Sequence, residues 1–189
     1  MSRAYRINVR ETLNRVIRAE DHVSTQLELL EILPPEVMAQ LLRAELEKRG
    51  FESEGEKLVR EQDGVCVTVD PATGTVTVHA EAAEEVELKG ERVGWSGDQN
   101  GMDSKRVREA TKQELRKELE GKAGAHREKL QSQVTDRLEA QLGDIRKELH
   151  QAVNRVTAEA LKQKAAQIGQ IKEMTEDPQS GSMTIVLEV

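Results

Sequence analysis

The feature that most constrains this chain is a proline-free stretch, residues 103–174, built mainly from Ala, Leu, Glu, Lys, Arg and Gln. These residue types have a high intrinsic preference for the α-helix, and proline is the strongest helix breaker. The stretch therefore predicts a long helical or coiled-coil segment over residues 103–175. At a rise of 1.5 Å per residue, an unbroken helix over the proline-free stretch would span about 108 Å.

Apolar residues recur along this segment at a spacing of eleven. Val134, Ile145 and Val156 form one such series, and Leu138 and Leu149 belong to a second. A period of eleven predicts a nearly straight or slightly right-handed packing seam. A narrow apolar stripe of that length does not stay exposed to water. We therefore predict that the seam packs against another helix, either a returning half of the same chain or a neighbouring copy. The candidate partner-binding residues on the seam are Leu138, Ile145, Leu149 and Val156.

A short strand follows the helical segment and limits how that segment can run. Residues 176–181 predict a turn and residues 183–189 predict a strand, which has to pair with a sheet. A straight rod would leave this strand about 100 Å from the N-terminal domain, so that it would need a partner chain's sheet. A helical hairpin bent near residues 121–124 or near Gly143 would return the strand to its own sheet. The preference for short local connections favours the hairpin.

Residues 1–90 predict a small α+β domain. Residues 3–9 alternate in polarity like a half-buried strand, and residues 12–19 favour an extended structure. A helix is predicted from Pro35 to Gly50, and residues 64–80 predict a β-hairpin because alternating valines flank a turn sequence. The predicted fold class is α+β, with a small mostly antiparallel sheet, one packed helix, a long helical hairpin or coiled-coil segment, and a C-terminal strand returning to a sheet.

Residues 91–102 are rich in glycine and have no periodicity, which predicts a linker. The predicted domains are residues 1–90, an α+β head; 91–102, a linker; 103–175, the helical segment; and 176–189, a turn and strand. The only tryptophan, Trp95, lies in this linker. It is either a plug that packs the linker onto the head or an exposed anchor for a partner. Because an exposed tryptophan is costly, the plug is favoured.

The charge distribution excludes some partners. Residues 1–102 carry 12 Lys and Arg against 20 Asp and Glu, while residues 103–177 carry 16 against 14. An acidic head repels phosphate backbones, and the helical segment is mixed in charge, so we predict no nucleic-acid binding. No apolar stretch approaches the roughly 20 residues that cross a bilayer, and the helical segment lacks the aromatic residues of an interfacial helix. We therefore expect a cytoplasmic protein without membrane contact.

The sequence gives little support for catalysis or metal binding. Cys66 is the only cysteine, so it forms no internal disulfide and cannot by itself hold zinc. His126 and His150 have no second histidine three or four positions away, which excludes a pair of histidines on one helix face. We predict no catalytic, cofactor-binding or metal-binding residues. An enzyme with a site around Cys66 and His79 on the hairpin remains the alternative.

Several stretches resemble one protein family. They are AYRI at 4–7, AEDHV at 19–23, LELLEILP at 27–34, DGV at 63–65, GTVTV at 74–78 and GSMTIV at 181–186. Together they resemble the small accessory proteins of bacterial FtsH-type ternary conflict systems. The resemblance implies an accessory or adaptor component that acts beside an AAA+ ATPase and a von Willebrand-type domain protein. None of these stretches is a catalytic signature, so no functional residue is carried over.

Taken together, these patterns predict a non-enzymatic adaptor that recognises a protein partner through its acidic head. The helical segment would set the oligomeric state, by self-association, or the spacing between components. The AAA+ ATPase is a partner implied by the resemblance alone. Besides the enzyme alternative, a purely structural coiled-coil spacer fits the same helical segment.

Overall fold

The computed structural model describes residues 4–176 and 183–188. In chain order, the elements are β1 (Tyr5–Gln26), α1 (Pro35–Lys48), β2 (Glu52–Glu54), β3 (Lys57–Gln62), β4 (Val65–Asp70), β5 (Thr75–Ser96), α2 (Met102–Ile168), β6 (Gln170–Glu176) and β7 (Met183–Glu188). Strands β1 to β5 form one antiparallel sheet in the order β1-β5-β4-β3-β2, and β6 pairs antiparallel with β7 in a small second sheet. The predicted α+β class is therefore confirmed, including a C-terminal strand that pairs in a sheet.

The helix predicted from Pro35 is confirmed as α1. Proline suits the first helical turn because its missing N–H would have no partner there. Met38, Leu42 and Leu46 recur at helical spacing and are all buried. The helix ends before Gly50, which adopts a φ of 83°, a conformation that glycine takes at little cost.

The hairpin predicted over residues 64–80 is confirmed as β4 and β5. Val67 lies opposite Val78, and Val69 lies opposite Val76. In the turn, the Asp70 carboxylate accepts the N–H of Ala72 at 2.9 Å. The Asp70 carbonyl accepts the N–H of Gly74 at 2.8 Å, where Gly74 has a φ of 72°. The turn residues therefore satisfy the backbone groups that the strands leave unpaired.

The chain folds as two compact units. Unit 1 comprises residues 1–20 and 81–135, and unit 2 comprises residues 21–80 and 136–189. Strands β1 and β5 and helix α2 each contribute one part to each unit. Each unit therefore contains one part of β1, of β5 and of α2. Unit 2 also contains α1 and the remaining strands.

Unit 1 consists of two strands packed against the first half of α2. Its core is a small aliphatic cluster of Ile7, Val9, Leu115 and Leu119, with Leu13, Leu88 and Val107 packed against it. The helix lies unusually close to β5 at two glycines. A Cβ atom at Gly90 would lie 2.7 Å from a methyl carbon of Leu115, and one at Gly94 would lie 2.6 Å from the Thr111 hydroxyl oxygen. Only glycine fits this close approach of strand and helix.

Unit 2 has a larger core. The inward valines of β4 and β5 are buried, and so are apolar residues of α1 and of the second half of α2, which include Leu138, Ile145, Leu149, Val156 and Ala160. Residues of the opposite sheet face, such as Cys66, Thr68 and His79, are half-buried. Unit 2 therefore follows the common arrangement of a sheet with helices packed on one side.

A charged contact ties β3 to α2 within unit 2. Both terminal nitrogens of Arg60 donate to the Glu148 carboxylate at 2.7 Å. The Arg60 guanidinium also lies 4.5 Å from the centroid of the Phe51 ring. The hydrogen bond from Arg60 lowers the pKa of Glu148, although partial burial acts in the opposite direction. This bidentate pair is the strong type of charged hydrogen bond.

The long helix was predicted, but the favoured helical hairpin was wrong. Helix α2 is a single helix of 67 residues that continues through Gly121, Gly124 and Gly143. Its buried residues do follow the spacing of eleven, as Val134, Ile145 and Val156 illustrate. In unit 1 the expectation that another helix covers the seam was also wrong, because strands of the chain's own sheet pack on it there. A strand pair buries one helix face as well as a second helix does, and the period does not distinguish the two.

The predicted linker is partly strand, since β5 continues to Ser96. The C-terminal strand pairs with β6, which directly follows α2, and needs neither the first sheet nor a partner chain. The predicted turn over 176–181 lies mostly outside the described residues, as does Val189. The division into four domains stays a prediction.

Candidate functional site

Trp95 and Met102 flank the turn that joins β5 to α2. The Trp95 side chain is 63% exposed and that of Met102 is 89% exposed, so the interpretation of Trp95 as a plug was wrong. The reason is the alternation of side chains along a strand. Val86, Leu88, Gly90 and Gly94 face the helix, so Trp95 faces away from it.

Asp98 caps the start of α2. Its carboxylate accepts the backbone N–H groups of Gly101 at 2.9 Å, Asp103 at 3.1 Å and Ser104 at 3.0 Å. The first N–H groups of any helix lack a partner within the helix, and an Asp side chain is among the best acceptors for them. Asp98 therefore satisfies the first N–H groups of α2 from the preceding turn.

Asp103 reaches back from the first turn of α2 to the end of β5. One of its carboxylate oxygens accepts the Ser96 hydroxyl at 2.9 Å and the Gly97 N–H at 2.8 Å. Ser96 and Ser104 are both buried, and the Ser104 hydroxyl donates to the Gly101 carbonyl at 2.8 Å. Asp98 and Asp103 therefore hold the turn in one conformation from opposite sides.

The same hydrogen bonds affect the ionisation of both carboxyl groups. Partial desolvation acts to raise the pKa of Asp98, but hydrogen bonds from Ser104, Gly101 and Asp103 outweigh it and lower the pKa. At Asp103, the Gly97 N–H and the Ser96 hydroxyl lower the pKa. Both groups are therefore carboxylates at neutral pH, and they act as acceptors.

The structure separates the five residues predicted to contact a partner. Leu138, Ile145, Leu149 and Val156 are buried within unit 2. Whether they contact a partner stays a prediction, and only Trp95 among the five is exposed. Met102 could not be singled out from the sequence, because it lies just beyond the glycine-rich turn and has no apolar neighbour at helical spacing before it.

Cys66 and His79, the residues of the alternative enzyme site, are neighbours across β4 and β5. Both are half-buried. Along the described chain, neither side chain forms a hydrogen bond or an ion pair, so no carboxylate orients His79. Nucleophilic catalysis by cysteine needs a base that is itself oriented by a third group. Within residues 4–176 and 183–188, no cluster of metal-ligating side chains occurs and no helix is long and apolar enough to cross a membrane.

The comparison with family models covers the whole chain. Residues 1–189 match the model described as FtsH ternary system domain X5. No curated protein and no solved structure matches the chain. The resemblance to accessory proteins of FtsH-type ternary systems is thus confirmed at the level of the family. The chain belongs to the FtsH ternary system domain X5 family.

Proposed function

We propose that this chain is a non-enzymatic adaptor of an FtsH ternary system and that it binds a protein partner through the β5–α2 turn, residues 95–104. The observation that carries the proposal is the exposed Trp95 beside a turn with a fixed conformation. Tryptophan is the residue type most enriched among those that dominate binding energy at protein interfaces. The exposed Trp95 side chain therefore points to a binding surface.

The rigidity of the turn supports this role. Asp98 and Asp103 hold five backbone or hydroxyl groups around residues 96–104. A surface that is already ordered loses less conformational entropy when it binds. Trp95 and Met102 therefore present two apolar side chains on a preorganised support.

The partner that we propose is the AAA+ protease component of the same system. The family name supports this choice, since it places the chain in an FtsH ternary system. The excess of acidic residues over residues 1–102 favours a partner surface that is basic around an apolar pocket for Trp95. We also propose that helix α2 sets the spacing between the components of the system.

The direct test measures binding between the purified full-length chain and the FtsH-type component of its system. Trp95→Ala is expected to weaken binding by about 2 kcal/mol, or roughly 30-fold in Kd, as for a residue at the centre of an interface. Val16→Ala is the matched control, because Val16 is also an exposed apolar side chain on the sheet in unit 1. An unchanged Kd for Trp95→Ala would contradict the proposal.

Three variants separate the adaptor from the alternatives. Cys66→Ser and His79→Ala abolish an enzyme but leave an adaptor's binding unchanged. A purely structural spacer tolerates Trp95→Ala in every assay of the assembled system. The adaptor is therefore the one function for which Trp95→Ala is harmful and Cys66→Ser is neutral.

A further inference from the structure

One edge of the five-stranded sheet is open. Strand β1 is the first in the sheet order, and no strand in the described part of the chain lies beyond it. At its end, the N–H of Leu27 donates to the carbonyl of Gly74, so Leu27 faces β5. Because backbone groups point alternately to the two sides of a strand, those of His22, Ser24 and Gln26 point to the open edge.

Two contacts close the neighbouring part of this edge. The Glu20 carbonyl, which has the same orientation as that of Ser24, accepts a hydrogen bond from the Gln131 side chain at 2.9 Å. The His22 N–H donates to the Asp21 carboxylate at 2.9 Å. A side chain therefore occupies the edge at Glu20 and another at His22, whereas Ser24 and Gln26 remain accessible to a new strand.

A groove in unit 2 runs beside the accessible part of the edge. It has a volume of about 510 Å³ and lies between the end of β1, the start of β5 and helix α2. Val23 faces the helix side of the sheet but is 39% exposed, whereas Val78 on β5 is buried. The helix thus extends over this strip of sheet without covering it. The apolar residues that line the groove include Val23, Leu27, Leu142, Ile145, Leu149 and Val153.

Basic side chains line the helix side of the groove. Arg146 and His150 are exposed and lie one turn apart on α2. Among the described residues, neither forms an ion pair or a side-chain hydrogen bond. The Arg146 guanidinium above an apolar floor favours a ligand that carries a carboxylate between aliphatic side chains, while Glu28 lines the strand end of the same groove.

We propose that this groove binds an extended segment of a partner protein, which adds to β1 as a sixth strand. The backbone of the segment would pair with Ser24 and Gln26. Its inward side chains would be aliphatic residues that contact Leu142 and Val153, together with a carboxylate that pairs with Arg146. This is the strand-addition mode, in which backbone hydrogen bonds supply affinity and alternate side chains supply specificity. The inference goes beyond the proposed contact at Trp95 and does not depend on it.

The test uses a short fluorescein-labelled peptide. Threonine occupies every second position of the peptide, and the positions between are valine, glutamate and valine. Its binding to the full-length chain is followed by fluorescence anisotropy. We expect saturable binding that is at least about tenfold tighter than that of the same peptide with lysine in place of glutamate. No saturable binding, or equal binding of the two peptides, would overturn the proposal.

Two pairs of variants locate the site. Ser24→Pro removes an outward N–H that the described part of the chain does not use, and proline is tolerated on such an edge, so binding is expected to fall at least about tenfold while the fold is retained. Asn14→Pro, at an equivalent outward position on β1 in unit 1, is the control. Arg146→Glu is expected to reverse the preference between the two peptides. Arg155→Glu, on the other side of the same helix, is expected to leave it unchanged.

A third measurement tests the competing occupant, a second copy of this chain. Light scattering on the wild-type protein and on Ser24→Pro is expected to give the same mass. A wild-type dimer that Ser24→Pro converts to a monomer would show that the edge is used for self-association, and it would overturn the proposal. Trp95→Ala is expected to retain peptide binding, so failure at the groove and failure at the β5–α2 turn give different results.

Discussion

The two units bury the same helix in different ways. Unit 1 has a thin core, in which one aliphatic cluster lies between two strands and α2, and glycines allow the contact to be close. Unit 2 has a sheet of five strands, a second helix and a bidentate ion pair. The chain has only three aromatic residues, so neither core is built on large side chains. We therefore expect unit 2 to supply most of the stability, whereas unit 1 presents Trp95.

The largest expected difference concerns fully buried leucines. Leu42→Ala in unit 2 is expected to lower the free energy of unfolding by about 4 kcal/mol, because a closed core collapses little around a cavity. Leu115→Ala in unit 1 is expected to cost only about 2 kcal/mol, since a single layer can settle onto the smaller side chain. Urea unfolding of both variants measures this difference. Equal losses would show that the two cores are equally closed.

The next largest loss of stability is expected from breaking the Arg60–Glu148 ion pair of unit 2. Glu148→Gln is expected to lower the free energy of unfolding by about 2 kcal/mol at neutral pH, because it removes a charged hydrogen-bond acceptor from Arg60. The pKa of Glu148 is lowered in the folded protein from its usual value of 4.5. Its contribution is therefore present above that value and is lost as the pH falls through the folded pKa.

The variant should accordingly lose less stability than the wild type between neutral and acidic pH, as measured by urea midpoints across that range. Glu118→Gln is the control in unit 1. Glu118 forms an exposed ion pair with Lys122 on α2, and such pairs contribute little. A comparable effect from Glu118→Gln would argue that general charge balance, rather than the Arg60 pair, is responsible.

A glycine of unit 1 gives a smaller effect. Gly94→Ala is expected to destabilise the protein by about 1 to 2 kcal/mol, because the new methyl group would lie 2.6 Å from the Thr111 hydroxyl oxygen and 2.7 Å from a Val107 methyl carbon. Gly97→Ala is the control, since its nearest neighbour would be an Asp103 oxygen at 3.6 Å. Thermal unfolding followed by circular dichroism compares them. A neutral Gly94→Ala would mean that α2 moves away from β5 easily.

The smallest expected effect is a gain in stability when glycines inside α2 are replaced by alanine. Gly124 in unit 1 and Gly143 in unit 2 have open space around them. Alanine at either position is expected to stabilise the protein by up to about 1 kcal/mol, because glycine has a poor helix preference. The same thermal measurement applies. A loss of stability at only one of the two positions would reveal packing that is specific to that unit.

The sequence predicted those elements whose pattern is complete. Residues 64–80 alternate valines with polar residues on both sides of a turn, so the hairpin could be predicted. The continuation of β5 to Ser96 could not, because two of its helix-facing positions are Gly90 and Gly94. Where a helix approaches this closely there is no room for an apolar side chain, and the alternation that marks a strand disappears.

The same limit applies to α2 and to the turn before it. The spacing of eleven identifies which residues of α2 are buried, but it carries no information about what covers them. Trp95 was identified as a candidate, yet its exposure depends on the strand phase that the glycines concealed. Asp98 was missed as the cap because it lies four residues before α2 begins, whereas a capping Asp is expected immediately before the first helical residue.

The position of the only tryptophan has a practical consequence for experiments. Since the Trp95 indole is 63% exposed, its fluorescence already reports an aqueous environment in the folded protein. Loss of either core would change this emission little, so fluorescence melting curves are expected to underestimate cooperative unfolding. A partner that covers the indole would shift the emission to shorter wavelengths. The protein therefore carries its own optical probe of complex formation, and it needs no added dye.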